Sequence, residues 1–152
     1  MALSAPQMLD FDDGSNLVEL REKIGRKPGV YVVKPESSEF PEIRRFGKAE
    51  GCVLSRIKHH GGDYGSYDNI TGDLMPYRPV HAWLLDGWPA YRVGMAELAM
   101  FGAIRDQGAK NYRSQTREKA DKSNFQIPAN FDWPRFRTRV SAELKMIASL
   151  GE

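Results

Sequence analysis

The sequence predicts a small α/β protein in which helices pack on a mixed, mainly antiparallel three-stranded sheet. Residues 80–86 form the most apolar stretch, which suits a central strand and is far too short to cross a membrane. Residues 90–107 and 133–150 both carry apolar side chains at helical spacing. A chain of 152 residues can bury one core without disulfides or metals, so one compact domain is expected.

The first half of the chain is predicted to contain a short helix followed by two paired strands. The first dozen residues are expected to be a loose arm, after which Ser15 and Asn16 could cap a helix over residues 17–24. Residues 30–33 are all β-formers and predict a strand. Residues 34–41 are expected to turn, so that residues 42–48 form a second strand antiparallel to the first.

The second half is predicted to alternate helices with one more strand. Residues 50–60 have helical spacing, and residues 61–79 are a loop rich in Gly, Asp and Tyr. After the strand at 80–86 comes the helix at 90–107, which Gly108 ends. Residues 115–122 are predicted to be a weak polar helix or a loop. The order is therefore β-β-α-β-α plus a C-terminal helix, divided into an arm with its short helix (1–27), a core (28–112) and a basic helical extension (113–152).

Charge is distributed unevenly, although the net charge is only +2. Five acidic residues face one arginine before residue 23, whereas ten basic residues face six acidic ones from residue 105 onward. A solvated helix surface explains this asymmetry simply, and a basic face that concentrates phosphates is the alternative. The single cysteine, Cys52, excludes an internal disulfide and is expected to be a small buried residue. No secretory signal is recognisable, so a cytoplasmic location is expected.

Glu97 is anomalous within the helix predicted at residues 90–107. At about 100° per residue, the side chains within about 60° of it are all apolar, namely Val93, Met100, Phe101 and Ile104. Burying an ionised carboxylate without a partner is costly. Glu97 is therefore expected to hold a metal ion, or else to form a buried ion pair with Arg56 or another base.

Arg56 and His60 are four residues apart on a predicted helix and therefore share one face. They border the apolar stripe of Val53 and Ile57, so the core can anchor them while a substrate reaches them. Arg56 could grip a phosphate through its bidentate fork, and His60 could move a proton near neutral pH. An exposed pair explains the spacing equally well. The histidines lack the ligand spacing of a zinc site.

Taken in order, these residues resemble the motifs of the GIY-YIG nuclease superfamily. The chain has Gly29-Val30-Tyr31, then Arg45-Phe46-Gly47-Lys48, then Arg56 with His60, then Glu97 and then Asn111. In the second motif, Arg45 stands where the family has tyrosine. Positive charge from Arg45 could take the place of that residue, as could a hydroxyl group from Tyr64, Tyr67 or Tyr77.

The resemblance implies a metal-dependent endonuclease that hydrolyses phosphodiester bonds, with DNA as the expected substrate. The implied catalytic residues are Tyr31, Arg56, His60 and Glu97, supported by Arg45, Lys48 and Asn111. Glu97 is expected to hold Mg²⁺ or Mn²⁺ largely through water. Tyr31 is expected to help activate the attacking water, while Arg56 neutralises the phosphate.

Nucleic acid is the expected partner, and its binding residues lie mainly outside these motifs. The candidates are Lys110, Arg113, Arg117 and Lys119. Arg135, Arg137 and Arg139 are further candidates, although alternate positions on a helix cannot all face one backbone. Trp133 could stack on a base, or more simply pack in the core. A homodimer is compatible with this function, since a concerted double-strand break needs two sites.

Two other functions also fit the sequence. Loss of the second tyrosine is compatible with a nucleic-acid-binding protein that keeps the scaffold without catalysis. Accidental motif matches would leave an α/β interaction module in which Glu97 is a structural ion pair.

Overall fold

The computed structural model describes residues 2–11, 17–36, 42–58, 77–112 and 124–150. The strands are β1 (Gln7–Asp10), β2 (Gly29–Pro35), β3 (Ile43–Ala49), β4 (Tyr77–Leu84), β5 (Lys110–Asn111) and β6 (Asn124–Gln126). The helices are α1 (Leu17–Ile24), α2 (Val53–Lys58), α3 (Ala90–Arg105) and α4 (Trp133–Ser149). None of the helices in these ranges is long and apolar enough to cross a membrane.

The strands form one six-stranded sheet in the order β1-β4-β2-β3-β6-β5, and every pairing is antiparallel. The α/β class and the antiparallel pairing of β2 with β3 are thus confirmed. The expected size of three strands is wrong, because the predicted strands are only the central β4-β2-β3 unit. The additional strands β1, β5 and β6 have four, two and three residues, respectively. They are too short to show an apolar pattern, so their backbone pairing defines them.

Several predicted boundaries move for local reasons. The expected loose arm contains β1, which pairs with β4 along its whole length. Helix α2 begins at Val53 instead of residue 50, since the Val53 N–H donates to the Lys27 carbonyl oxygen at 2.8 Å. Strand β4 begins at Tyr77, inside the predicted loop, because Tyr77 pairs with Pro35. The predicted cap at Ser15 and the predicted element at residues 115–122 lie outside the described residues.

Two hydrophobic clusters cover the two faces of the sheet, and side-chain alternation assigns each strand residue to one of them. Helices α3 and α4 cover the first face, called the α3/α4 face, where Val30, Val32 and Phe46 are buried. Helices α1 and α2 cover the second, called the α1/α2 face, where Tyr31 and Val33 are buried. Because of this division, side chains of β2 and β3 can contact each other only where they lie on the same face of the sheet.

Helices α3 and α4 are fixed to each other at both ends. Arg92 is buried, and its guanidinium donates to the carbonyl oxygens of Ile147 at 2.9 Å and Leu150 at 3.3 Å, where α4 ends. Arg139 bonds to Asp106, the C-cap residue of α3, at 2.5 Å. Asp132 caps α4 by accepting from the Arg135 N–H at 3.0 Å. Helix α3 is therefore held firmly, with a fixed face toward the sheet.

Strand β1 is joined to β4 by a polar pair as well as by the backbone. His81 Nδ1 lies 2.6 Å from Asp10 Oδ1, and the imidazole is buried against Trp83 and Trp133. Burial lowers the pKa of His81; the hydrogen bond and charge of Asp10 oppose this shift, whereas the charges of Arg137 and Arg44 add to it. The net direction is downward, so the folded protein favours the neutral imidazole.

This lowered pKa predicts acid sensitivity of the fold. The unfolded chain binds the His81 proton with a pKa of about 6.5, more tightly than the folded protein does. Stability is therefore highest above that pH and falls as the pH drops below it. Thermal melts at pH 7.5 and 5.5 should show the loss in the wild type and a smaller loss in His81→Gln. An equal loss in both proteins would assign the acid sensitivity to other groups.

Candidate active site

Tyr31 and Gly47, one from each name-giving motif, face each other across β2 and β3. Tyr31 is only 4% exposed, and its ring lies against Gly47. A methyl group placed on Gly47 would come within 2.4 Å of the Tyr31 hydroxyl oxygen. Glycine is thus required at position 47 for the tyrosine to lie flat across the neighbouring strand. The second motif keeps this packing role even though its tyrosine is absent.

Arg45, which occupies the place of that tyrosine, also lies on the α1/α2 face. Its guanidinium carbon is 5.8 Å from the centroid of the Tyr77 ring. Tyr77 is 1% exposed, and the other two tyrosines considered as substitutes lie outside the described residues. Arg45 thus brings positive charge to this face, with Tyr77 packed against its guanidinium.

Glu97 lies half-buried on α3 among residues that are buried in the α3/α4 cluster, namely Val93, Met100, Phe101 and Ile104. Burial raises the pKa of its carboxyl group, and the positive charge of Lys48 partly offsets this rise. Glu97 forms no salt bridge with any residue of the described ranges, so the expected alternative of an ion pair with Arg56 is not observed there. The half-buried carboxylate of Glu97 is therefore close to the positive charge of Lys48 but forms no salt bridge with it.

Lys48 is the residue that joins β3 to this part of α3. Its ammonium nitrogen is 3.1 Å from Glu50 Oε1, and a methyl group placed on Gly94 would lie 3.8 Å from it. Gly94 is three residues before Glu97, which places the ammonium group one helical turn from the carboxylate. Lys48 thus lies between two carboxylates, of which only Glu50 holds it directly.

A cleft of about 420 Å³ opens where β3 leads into α2. Arg26, Glu50, Cys52, Ser55 and Arg56 contribute to its walls. Arg56 is exposed, and no residue of the described chain is paired with its guanidinium group. The cleft therefore offers a cation at its rim, next to the Lys48–Glu50 pair.

Cys52 is half-exposed at this cleft, so the expectation that it is buried is wrong. Burial raises the pKa of its thiol, but hydrogen bonds from Ser55 and from nearby backbone outweigh burial, and the net shift is downward. The Ser55 hydroxyl donates to Cys52 Sγ at 3.2 Å. Cys52 lies in front of α2 rather than within it, which removes the helical packing that the sequence suggested.

The motif residues are divided between the two faces of the sheet. Tyr31, Arg45 and Gly47 lie on the α1/α2 face, whereas Lys48 and Glu97 lie on the α3/α4 face. Tyr31, Gly47 and Lys48 lie near the end of β3, where the Lys48–Glu50 pair borders the cleft that contains Arg56. Arg45 lies further back along β3, opposite Val33. A substrate that contacts both groups would have to bind at this end of the sheet.

The remaining predicted residues are not brought to this end by the described chain. Asn111 lies in β5 at the far edge of the sheet, opposite Phe125, and Lys110 is exposed beside it. The other predicted residues lie outside the described residues: His60, Arg113, Arg117 and Lys119.

Three residues near the site were not predicted. Glu50 lies two residues after Lys48, the last residue of the second motif, and that proximity was its only sequence signal. Arg26 reaches the cleft because α1 packs beside α2, which no local pattern indicates. Asn124 lies opposite Arg45 on β6 and is fully buried, and neither of its side-chain polar atoms is hydrogen-bonded to any described residue. Such a group is costly in a core and is more often kept for a site than for stability.

The donor set limits which metal ion could bind. Among the described residues no three His, Cys, Asp or Glu side chains form a cluster. Mg²⁺ keeps several waters and needs only one or two carboxylates, so Glu97, with Glu50 on the other side of Lys48, fits a mostly hydrated Mg²⁺. The set does not fit zinc, which requires three or four protein ligands.

Comparison of the chain with protein-family models, with curated proteins and with solved structures finds no significant match.

Proposed function

We propose that this protein is a metal-dependent endonuclease of the GIY-YIG type, which hydrolyses phosphodiester bonds with DNA as its expected substrate. The observation that carries the proposal is Glu97, a half-buried carboxylate with a raised pKa that no basic residue of the described ranges neutralises. A group of this kind destabilises the fold, so it indicates a role in binding.

The packing of the two motif strands supports the same proposal. Tyr31 and Gly47 are paired in register, and the Tyr31 ring requires glycine at position 47 because any larger residue would clash with it. This relation between two motifs about fifteen residues apart is not expected from chance matches.

The roles of the residues follow from their charges and positions. Mg²⁺ held by Glu97 would supply positive charge to the leaving oxygen. Lys48 and Arg56 would neutralise the phosphate, one from each side of the end of β3. The Tyr31 phenolate, whose formation the positive charge of Arg45 on the same face would favour, would take a proton from the attacking water.

A nucleic-acid-binding protein without catalysis is the second candidate. The burial of both Tyr31 and Tyr77, which are 4% and 1% exposed, favours it, because neither ring is open to solvent for proton transfer. Such a protein would keep the charges that bind phosphate and lack proton transfer.

Nicking of supercoiled plasmid by the wild type, with Mg²⁺ or with EDTA, separates these functions. The proposed enzyme should convert plasmid to the open-circular form only with the metal ion, and Arg56→Ala should reduce the rate. Lys145→Ala, which removes an exposed lysine of α4, is the matched control and should cleave normally. Salt-sensitive binding without cleavage would support the second candidate. If the wild type neither binds nor cleaves DNA, the remaining function is that of an interaction module.

A further inference from the structure

Large apolar side chains are exposed on the outer surface of helices α3 and α4, the surface that faces away from the sheet. Seven side chains of this kind are exposed in the described part of the chain, and five of them lie on these two helices or directly after α4. They are Tyr91, Met95, Leu98, Met146 and Leu150, of which Leu98 is 68% exposed and Met146 is 65% exposed. Single exposed apolar residues are common, whereas a group of them marks an interaction surface.

These five side chains form one patch because α3 and α4 pack side by side and run antiparallel. Arg92 donates to the Leu150 carbonyl oxygen, so the start of α3 lies beside the end of α4. Met95 follows Tyr91 by one turn of α3, and Met146 precedes Leu150 by one turn of α4. One turn along each antiparallel helix therefore brings Met95 to the level of Met146. The five residues are together called the outer patch.

The charged side chains of α3 and its C-cap lie outside the outer patch. Arg92 is buried under α4, and Arg105 lies over the Phe125 ring, 5.4 Å from its centroid. Asp106 is bonded to α4. At about 100° per residue, Glu97 is about 100° or more around α3 from the apolar side chains of the patch. A molecule that covers the patch would therefore leave Glu97 and the candidate active site open.

The charged side chains of α4 give the same result. Arg139 is bonded to Asp106 and lies 3.7 Å from Glu143, so these charges are paired with one another. Lys145 is exposed, but it is about 100° around the helix from Met146. The other arginines of α4 lie in its first two turns, at the opposite end from the patch. The outer patch thus lacks the cations that bind nucleic acid and fits an apolar protein surface.

The spacing of the outer patch along α3 fits a second copy of the same helix. Tyr91, Met95, Leu98 and Gly102 follow one another in steps of four, three and four residues, which is the spacing of a helix-packing seam. These steps are the same when read from either end. Two antiparallel α3 helices related by a two-fold axis would therefore place Met95 of each copy beside Leu98 of the other, and Tyr91 beside Gly102.

Gly102 supports this arrangement because the fold of one chain does not require it. A methyl group placed on Gly102 meets nothing within 4 Å, and glycine weakens a helix relative to most other residues. In the antiparallel pair, the missing side chain leaves space for the Tyr91 ring of the second copy. The glycine thus has a packing role only when a second helix is present.

The area of the outer patch is sufficient for a weak dimer. Its five side chains expose on the order of 500 Å² in each copy, which is near the upper end for one patch on a monomer. Covering the patch in both copies buries about 1,000 Å², which is the lower end for a specific interface. A dissociation constant in the micromolar range is therefore expected.

We propose that the outer patch pairs with the same patch on a second copy of this chain, through antiparallel contact of the two α3 helices. Sedimentation equilibrium of the full chain, from about 1 to 300 µM, brackets the expected dissociation constant. The wild type should change from the mass of one chain to the mass of two over this range. The measurement involves no cleavage, so its result is independent of the proposed nuclease activity.

Two variants test the α3 seam. Leu98→Glu should raise the dissociation constant at least about tenfold, because a charge would be buried at the centre of the interface. Gly102→Leu should do the same, because its side chain would occupy the space of the Tyr91 ring. Since leucine favours helix, Gly102→Leu should also melt at the same or a higher temperature than the wild type, at a concentration where both are monomeric.

A mixture of two variants tests the antiparallel arrangement. Met95→Lys and Leu98→Glu should each be monomeric alone. Mixing them should restore a dimer, because the new lysine of one copy would lie beside the new glutamate of the other. Val18→Glu on α1 is the matched control, since it adds the same charge at an exposed apolar residue on the opposite side of the sheet. It should form dimers like the wild type.

A wild type that keeps the mass of one chain at every concentration would overturn the proposal and assign the outer patch to a different partner. Dimers that persist unchanged in Leu98→Glu or Gly102→Leu would also overturn it, as would loss of the dimer in a folded Val18→Glu protein. A mixture that stays monomeric would exclude the antiparallel pairing of α3. Melting temperatures show whether each variant is folded.

Discussion

Replacing Glu97 with glutamine is expected to abolish Mg²⁺-dependent nicking while making the fold more stable. Loss of the metal-binding carboxylate removes several kcal/mol of transition-state stabilisation, which corresponds to on the order of a hundredfold or more in rate. Activity and stability should thus change in opposite directions. A residue that only supports the fold would not behave in this way.

The gain in stability follows from the raised pKa of Glu97. Because the folded protein binds this proton more tightly than the unfolded chain, ionisation at neutral pH costs folding free energy. The cost is fully present above the folded pKa and disappears as the pH falls through it toward the unfolded value. Glutamine has the same shape and no charge, so Glu97→Gln should melt at a higher temperature than the wild type at pH 7.5, and this difference should shrink in acid.

Glu143→Gln is the matched control for Glu97→Gln. Glu143 is a partly buried glutamate of the adjacent helix and lies 3.7 Å from Arg139. Its replacement should leave nicking unchanged and should not raise the melting temperature. Nicking that survives in Glu97→Gln would remove Glu97 from the metal site. Loss of nicking together with a lower melting temperature would instead indicate that Glu97 supports the fold.

Replacing Gly29 with alanine is expected to destabilise the protein by about 3 kcal/mol. The added methyl group would lie 2.2 Å from the Trp83 carbonyl oxygen and 3.1 Å from Val53 Cγ1. The first of these atoms belongs to the backbone of β4, which cannot move away while Gly29 remains paired with Leu84. The clash must therefore be relieved by breaking the pairing of two central strands.

Urea denaturation of Gly29→Ala and Gly51→Ala makes this prediction measurable. Gly51 follows β3, and a methyl group placed on it meets nothing within 4 Å. Gly51→Ala should match or slightly exceed the wild type, since alanine lowers the entropy of the unfolded chain. Equal stability of the two variants would mean that β2 and β4 can separate locally, and the glycine of the first motif would then have no packing role.

The elements with strong local patterns were predicted well. Strand β2 and helices α3 and α4 have β-branched runs or apolar stripes that match their burial in the structure. Strands β1, β5 and β6 could not be predicted, because they have few residues and their pairing partners are distant in sequence. Cys52 was placed wrongly because the hydrogen bond from Val53 to Lys27 sets the start of α2.

The site was predicted as a set of residues, and their arrangement in space was not. Tyr31, Lys48 and Glu97 were each singled out from spacing or from a charge on an apolar stripe. The structure assigns Tyr31 to one face of the sheet and the other two residues to the opposite face. The alternation of side chains along β2 and β3 already assigns Tyr31 and Lys48 to opposite faces of the sheet. Which helix covers which face depends on the connections between elements.

The sequence by itself determined the α/β class, the pairing of the two motif strands and the misplaced charge of Glu97, because each follows from local periodicity. Only the tertiary structure decided that Lys48 rather than Arg56 lies beside Glu97 and that Gly47 makes room for Tyr31. These facts depend on which strands lie next to each other, and pairing between distant segments leaves no period in the sequence.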